Sequence, residues 1–418
     1  MFGNFFKKTA KAHRMTDRIF LDYASATPLR PEVRDVMQAY ETDEAHRDWY
    51  FANPSALYTE AREVKSVMHT ARAAVGSFFN CAHDRIVFTS GGTEGNNIAI
   101  LGTFEKARTH GIERPHIISV LTEHPSVREV LDEVVRRGGE VTLLSSQESG
   151  LITAEQVVAA ITPATVLISV MYVNNEIGVV QPIRDIVQAV QKYKKEGAGT
   201  HATGYPYFHT DACQAALFYS LDVSTLGIDL LTIDGLKIGG PRGCGVLYVR
   251  QGTGHDSIVS PIMFGGGQEG GLRSGTEDVA RMVGMATALT LAKAERKELS
   301  ARLETLRDYF IDRITTEFPT AHLNGSAKHR TPNNINVCFT GLDAEYLVVA
   351  LDTYGVAASY SSSCRTLKED SSSYVVEALG NPGCAHSSLR FTLGRGTTKK
   401  EVDRALKALE KAVEQVGR

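Results

Sequence analysis

A lysine at position 237 stands where an apolar run meets a glycine-rich turn, in TIDGLKIGGPRGC (232–244). An amine in such a place can do carbonyl chemistry, because a lysine beside an anion site can hold a phosphate-bearing aldehyde as a Schiff base. Two other stretches offer what that aldehyde needs. TSGGTEGNNIAILG (89–102) ends a strand in Ser-Gly-Gly-Thr and opens a helix. Free backbone N–H groups and glycines that allow close approach make an anion site there, and Thr93 adds a hydroxyl donor. HTDACQAA (209–216) puts Asp211 at a strand end, as a helix cap or as a buried carboxylate holding a cationic ring nitrogen. Taken singly, a glycine-rich βα turn is more often only a turn, and a lone lysine more often a surface charge. Spacing does not decide between these readings.

Those residues need elements to position them. Short apolar runs at 85–90, 116–121, 165–173, 229–233 and 245–249 read as buried strands, and 126–138 and 183–195 carry helical spacing. Alternating β and α units imply a mostly parallel sheet with helices on both faces. The stretch 278–316 reads as a long helix leading into a second unit with strand-like NINVCFTG and LRFTLG and a closing amphipathic helix. The segment 194–207, rich in glycine and small or polar residues, reads as a surface loop.

Bulk properties narrow the class. A chain of 418 residues exceeds one ordinary domain. Its 43% hydrophobic and 22% charged residues suit a soluble globular protein. A net charge of -3 gives no basic field for nucleic acid. No apolar run approaches the roughly 20 residues of a membrane span. The start, MFGNFFKKTAKAHRM, lacks a long apolar core and a cleavage site, so it reads as a frayed extension rather than a secretory signal. The cysteines at 81, 213, 244, 338, 364 and 384 form no C-x-x-C pair. That argues against a zinc ribbon or a disulfide framework and for a reducing, cytoplasmic compartment. Cys81-Ala82-His83 and Cys384-Ala385-His386 are too short to mark a metal site, and no metal is expected.

A resemblance makes the chemistry specific. FLDYASATP (20–28), FTSGGTEGNNIAI (88–100), EHPSV (123–127), VNNEIGVVQPI (173–183), HTDACQA (209–215), FGGGQEGGLRSGTEDV (264–279) and SSLRFTLGRGTT (387–398) resemble, in order, the blocks of NifS/IscS-like cysteine desulfurases. These are class V aminotransferase-type enzymes that use pyridoxal 5'-phosphate, and the blocks span nearly the whole chain from about residue 19. The resemblance implies an α/β protein of the aspartate aminotransferase-like fold type I. An N-terminal extension (1–18) would precede a large cofactor-binding domain (19–285) with a mostly parallel mixed sheet flanked by helices. A smaller α+β domain (286–418) would follow, against which the N-terminal segment is a candidate to pack.

It also implies roles. Lys237 matches the lysine that forms the imine, Asp211 the acid paired with the pyridine nitrogen, and His124 the histidine stacked on the ring. Asn175 and Gln214 match residues that bond the phenolic oxygen or ring edge, Asn175 also facing substrate. Gly92 and Thr93 match the phosphate cup, and Thr276 a phosphate contact supplied by the other subunit of a homodimer. Arg390 matches the arginine that grips the substrate carboxylate, as a guanidinium can through two parallel hydrogen bonds. Cys364, in VAASYSSSCRTLKEDSSSYVVEALG (356–380), matches the nucleophile, whose thiolate Arg365 would favour; the other cysteines read as small buried hydrophobes, with Cys384 in a loop. The implied reaction takes sulfur from L-cysteine, releases L-alanine and leaves a persulfide on Cys364. A sulfur-acceptor or scaffold protein then receives it, for iron-sulfur cluster assembly or tRNA thiolation.

The sequence departs from that pattern before the lysine. Family members usually read Ser-Gly-His there; this chain reads Asp234-Gly235-Leu236. Leu236 donates no hydrogen bond, and a carboxylate repels a phosphate by roughly 4 kcal/mol at about 4 Å and an effective dielectric near 20. Each lost donor costs about 1.5–3 kcal/mol more. Asp234 must therefore turn away, be protonated or find a cation, or the cofactor is held poorly. Tyr58 stands where the family tends to have histidine, a minor contact. Two other readings follow: a selenocysteine lyase or another lyase of the same fold, and a cofactor-poor, non-catalytic homologue.

Overall fold

The computed structural model describes residues 18–41, 51–197, 204–254, 257–360 and 372–417. The described chain opens with strand β1 (Ile19–Phe20) and helix α1 (Pro31–Glu41), whose proline sits at the first helical position, where a missing N–H costs nothing. Helix α2 (Thr59–Phe79) follows and ends at Asn80 in the left-handed conformation, which asparagine tolerates. Seven strands then build one sheet: β2 (Ile86–Thr89), β3 (His116–Val120), β4 (Glu140–Leu144), β5 (Thr165–Ser169), β6 (Tyr207–Asp211), β7 (Leu230–Asp234) and β8 (Gly245–Val249). Their order is β2-β8-β7-β6-β5-β3-β4. Only β8 runs against its neighbours.

The strands expected at 85–90, 116–121, 165–173, 229–233 and 245–249 all form, the third stopping at Ser169. They are buried along nearly their whole length, because helices cover both faces of the sheet. Two strands carried no apolar run. β4 lies at the sheet edge and is only half-buried. β6 ends His-Thr-Asp, and its buried His209 and Asp211 side chains are met by hydrogen-bond partners from other elements. Helices α3 (Gly92–Thr109), α4 (Pro125–Arg136) and α5 (Ile183–Lys195) cross between strands. The core of the 194–207 loop, residues 198–203, lies outside the described residues.

Helix α6 (Val279–Glu317) is 39 residues long and starts at Asp278, whose carboxylate caps the Arg281 N–H. Its first half puts Met282, Met285 and Leu289 into the core shared with α1, α2 and the sheet. Its second half gives Leu303, Phe310 and Ile314 to another core. That second core holds β9 (Ala321–Leu323), β10 (Asn334–Phe339), helix α7 (Ala344–Thr353), β11 (Val356–Ala357), β12 (Ser388–Thr392) and helix α8 (Lys399–Val416). β12, β10 and β9 form an antiparallel sheet. The first described strand joins this unit: Ile19 pairs with Val356, Phe20 with Ala357, and Ile19 and Leu21 lie in the second core. A cut at 285 therefore falls within one continuous helix.

The cysteine expectation needs a correction. Cys338 and Cys384 are bonded to each other, with 46 residues between them in sequence. Neither spacing nor composition marks this pair. Antiparallel pairing sets Cys338 on β10 opposite Ser388 on β12, and the turn before β12 brings Cys384 alongside, at a Cα separation of 5.4 Å. His322 on β9 places Nε2 3.1 Å from the Cys384 sulfur.

Candidate active site

Lys237 ends a short 3-10 turn, Gly235–Lys237, directly after β7. Its Nζ donates to the carbonyls of Ala24 (2.9 Å) and Ser25 (2.6 Å). The segment that supplies them is itself clamped to the turn, since Thr27 donates to the Leu236 carbonyl at 2.5 Å and accepts from the Gly239 N–H at 2.7 Å. The lysine thus faces a cavity of about 270 Å³ lined also by Ser25, Thr93, His124, Asn175, Asp211, Gln214, Asp234 and Arg390.

Asp211, at the end of β6, is 8% exposed. One oxygen accepts the Cys213 N–H at 2.9 Å and the other accepts Asn96 Nδ2 at 2.8 Å. Asn96, fully buried on α3, also donates to Ser126 Oγ at 2.8 Å, and Ser126 Oγ lies 2.8 Å from His124 Nδ1. Because the Ser126 N–H donates to that same Nδ1 at 3.1 Å, the histidine proton belongs on Nε2. His124 is the N-cap of α4, followed by Pro125, which fixes its backbone. Burial, the leading cause, pushes its pKa down against the pull of Asp211, so the ring is held neutral.

Arg390 on β12 is 2% exposed. It donates to Asp22 (2.7 Å), to Ser25 Oγ (2.9 Å) and to the Asn175 carbonyl (2.9 Å). Its Nε, also buried, has no partner among the described residues. A buried charge-bearing donor of this kind suits a carboxylate. Gln214 donates to the Ala24 carbonyl at 2.9 Å and so supports the lysine's own acceptor.

The phosphate-cup residues sit where β2 hands over to α3. Gly91 adopts φ 146°, which only glycine takes readily. A Cβ on Gly92 would lie 2.7 Å from the Cys213 sulfur. Asp234 faces the same corner: its Oδ1 accepts the Leu236 N–H at 2.8 Å and its Oδ2 the Gly92 N–H at 3.1 Å. It neither turns away from this corner nor pairs with a cation there; both oxygens cap backbone N–H groups.

The structure brings together Gly92, Thr93, His124, Asn175, Asp211, Gln214, Lys237 and Arg390. It does not bring Thr276 to them within one chain; Thr276 lines a separate cleft with Phe88, Glu269 and Arg273. Cys364 lies outside the described residues. Asp22, Ser25, Asn96 and Ser126 were not assigned roles from sequence, although each stands inside a quoted block. Cys213 borders the cavity too, but burial first, then Asp211 and Asp234, holds its thiol pKa well up, so it stays a neutral thiol. Glu123, fully buried beneath the site, accepts the Met171 N–H, and burial pushes its carboxyl pKa far above the ordinary range.

The family profile described as aminotransferase class-V matches residues 19–405. The chain belongs to this family. Class-V relatives include the cysteine desulfurase IscS of Dictyoglomus turgidum, 37% identical over 403 residues and 96% of each chain. A solved NifS-like protein superposes with a TM-score of 0.83 at 27% identity, covering 96% of this chain and 100% of its own. A solved SspA in complex with cysteine is 31% identical, with a TM-score of 0.73 and coverage of 90% and 99%. The resemblance read from the sequence and its α/β fold are thereby borne out, and the class-V chain is an enzyme that uses pyridoxal phosphate. The donor set fits that cofactor at its ring and aldehyde: a buried acid for the ring nitrogen, a neutral imidazole and an amine share one cavity. At the phosphate end Gly92 and Thr93 fit and Asp234 does not.

Proposed function

We propose that this protein is a cysteine desulfurase that takes sulfur from L-cysteine onto Cys364 and releases L-alanine. The observation that carries the reading is the convergence of Lys237, Asp211, His124 and Arg390 on one cavity in a chain 37% identical to an IscS. Lys237, Asp211, His124, Asn175, Gln214, Gly92 and Thr93 hold pyridoxal phosphate. When bound, that group supplies an electron sink for the carbanion formed at the amino acid's Cα.

The remaining work falls to the chain. Arg390 receives the substrate carboxylate, already oriented by Asp22, Ser25 and the Asn175 carbonyl. Asp211 holds a proton on the ring nitrogen through its negative charge, and Asn96 fixes its carboxylate. The Lys237 amine takes the Cα proton, and neutral His124 carries a proton on Nε2 at the same cavity. The Cys364 thiolate attacks the substrate sulfur; the S–S bond forms as the Cβ–S bond breaks, and the electron pair left on carbon takes up a proton. In sum, L-cysteine and enzyme thiol become L-alanine and enzyme persulfide.

Both flanks of the segment that carries Cys364 support this delivery. Ser359 exchanges backbone hydrogen bonds with Arg390. Ser373 donates to Glu176 at 2.6 Å, next to Asn175. The described residues on either side of Cys364, Ser359 and Ser373, thus both contact neighbours of the cavity. A sulfur-acceptor or scaffold protein takes the persulfide sulfur, in the service of iron-sulfur assembly or tRNA thiolation. We assign the enzyme as a homodimer, with Thr276 reaching the partner's cofactor phosphate. Among the described residues no helix is long and apolar enough to cross a membrane.

The test is a visible spectrum with and without L-cysteine, coupled to alanine and sulfide assays. Purified protein should show a cofactor band that Lys237→Ala lacks, and with a dithiol reductant present to release the persulfide sulfur it should form alanine and sulfide in equal amounts. Cys364→Ala should keep the band and lose the persulfide. A protein that stays colourless after added pyridoxal phosphate defeats the assignment, and full sulfide production by Cys364→Ala defeats the nucleophile.

A further inference from the structure

We propose that Asp234 sets how this enzyme discriminates among forms of its cofactor: its carboxylate takes an anion-binding position at the N-terminus of α3, so the phosphate of pyridoxal phosphate binds against a resident negative charge. The inference rests on the use of pyridoxal phosphate at this cavity proposed above.

The geometry is specific. β7 ends at Asp234, and the side chain folds back over the turn that carries Lys237. Both carboxylate oxygens are taken by neutral backbone N–H groups, Leu236 at 2.8 Å and Gly92 at 3.1 Å. Gly92 is the first residue of an 18-residue helix, and its N–H is one of the donors that no intrahelical carbonyl uses. Such donors, with the positive end of the helix dipole, are what a phosphate would otherwise engage. Here a side chain of the same chain is already on one of them. The two glycines keep the space open for it: a Cβ on Gly91 would lie 3.1 Å from Asp234 Oδ2, and one on Gly92 3.7 Å from the same atom. Asp234, Gly92, Thr93, Leu236 and Lys237 all line the one cavity.

Two consequences follow. A phosphate monoester carries about −1.5 to −2 charge near neutral pH, so it meets the carboxylate as a like charge and competes with it for the same N–H. The neighbour that could offset this, Leu236, offers only its backbone N–H, and Asp234 accepts that as well. The affinity gained from the phosphate, measured as pyridoxal phosphate against pyridoxal, is accordingly small in this protein. Removing the charge while keeping the fold of the turn restores it.

The experiment compares the wild type with Asp234→Asn and Asp234→Ser, all prepared as holoenzyme. Asn keeps the shape and an acceptor oxygen for the Leu236 N–H; Ser removes the carboxylate altogether and guards against a misfolded amide variant. Each protein is dialysed against phosphate-free buffer, the released cofactor is quantified, and pyridoxal phosphate and pyridoxal are titrated back by absorbance. Thermal melts confirm that each variant is folded. The expected result is that the affinity ratio of pyridoxal phosphate to pyridoxal rises at least tenfold in both variants, with slower cofactor loss, while pyridoxal itself binds within about threefold of wild type. An unchanged or lower ratio in the folded variants overturns the proposal and makes Asp234 a structural member of the cup. That outcome leaves the proposed function standing so long as the wild type shows a band that Lys237→Ala lacks; if no variant binds pyridoxal phosphate, both readings fall.

Discussion

The two ends of the Lys237 cavity are built on opposite plans. At the ring end, Asp211 is held by Asn96 and the Cys213 N–H, and its negative charge is left facing the cavity. Asn96, Ser126 and His124 form one chain of hydrogen bonds that fixes each side chain in turn. At the phosphate end the donors are aimed inward, but a carboxylate from the same chain accepts one of them. One end is preorganised for its ligand, and the other is partly satisfied by itself. Preorganisation lowers the reorganisation a ligand must drive, whereas self-satisfaction stabilises the empty site at the ligand's expense.

This contrast can be broken most decisively at Asp211. Replacement by Asn keeps the hydrogen bond to Asn96 and removes the charge proposed to hold a proton on the ring nitrogen. We expect turnover of L-cysteine to fall by about 10²–10³, with cofactor still bound, as for loss of one preorganised electrostatic group. A fall of less than threefold would mean the ring end does not work through charge.

The foundation of that end is acid-sensitive. His209 lies two residues before Asp211 on β6, fully buried between Ser169 Oγ (2.9 Å) and Thr232 Oγ1 (3.1 Å). Burial, its largest influence, depresses its pKa from 6.5 to about 4. The unfolded chain therefore binds a proton that the folded chain refuses, and stability rises with pH across this window. The contribution is complete above about pH 6.5 and is lost as pH falls towards 4, a change of roughly 3 kcal/mol. Denaturant melts from pH 7 to 4 should show this slope, and His209→Gln should flatten it.

Asn96→Ala tests the second layer. It removes a donor to an ionised carboxylate, worth about 1.5–3 kcal/mol, so turnover should drop roughly tenfold or more. Steady-state kinetics of the folded variant check this, with the loss expected in kcat while cofactor stays bound. A drop of less than threefold would make Asn96 merely structural.

The smallest effect belongs to the phosphate end. Leu236→His adds a donor beside Asp234, and cofactor retention on dialysis should improve by about tenfold, from one charge-assisted hydrogen bond. If retention worsens, the turn does not present position 236 to the phosphate.

Much of this was legible in the sequence for a physical reason. β2, β3, β5, β7 and β8 are covered on both faces, so each is written as an uninterrupted apolar run. β6 was not legible, because His209, Thr210 and Asp211 are polar; the burial of His209 and Asp211 depends on Ser169, Thr232 and Asn96 arriving from elsewhere in the chain. The ordered blocks named the residues at the cavity, yet gave Asp22 and Ser25 no role, since a bond to a residue as distant in sequence as Arg390 has no trace in spacing.

Local pattern and chemical type thus determined which segments are strands and helices and which side chains could act on an aldehyde. Those properties depend on each residue and its near neighbours. The direction of the Asp234 carboxylate, the neutral tautomer of His124, the Asp22–Arg390 pair and the Cys338–Cys384 bond were decided by the fold alone. Apart from the His124 tautomer, which the Ser126 N–H two residues away sets once α4 has formed, each depends on groups that are distant in sequence and meet only when the sheets close around them.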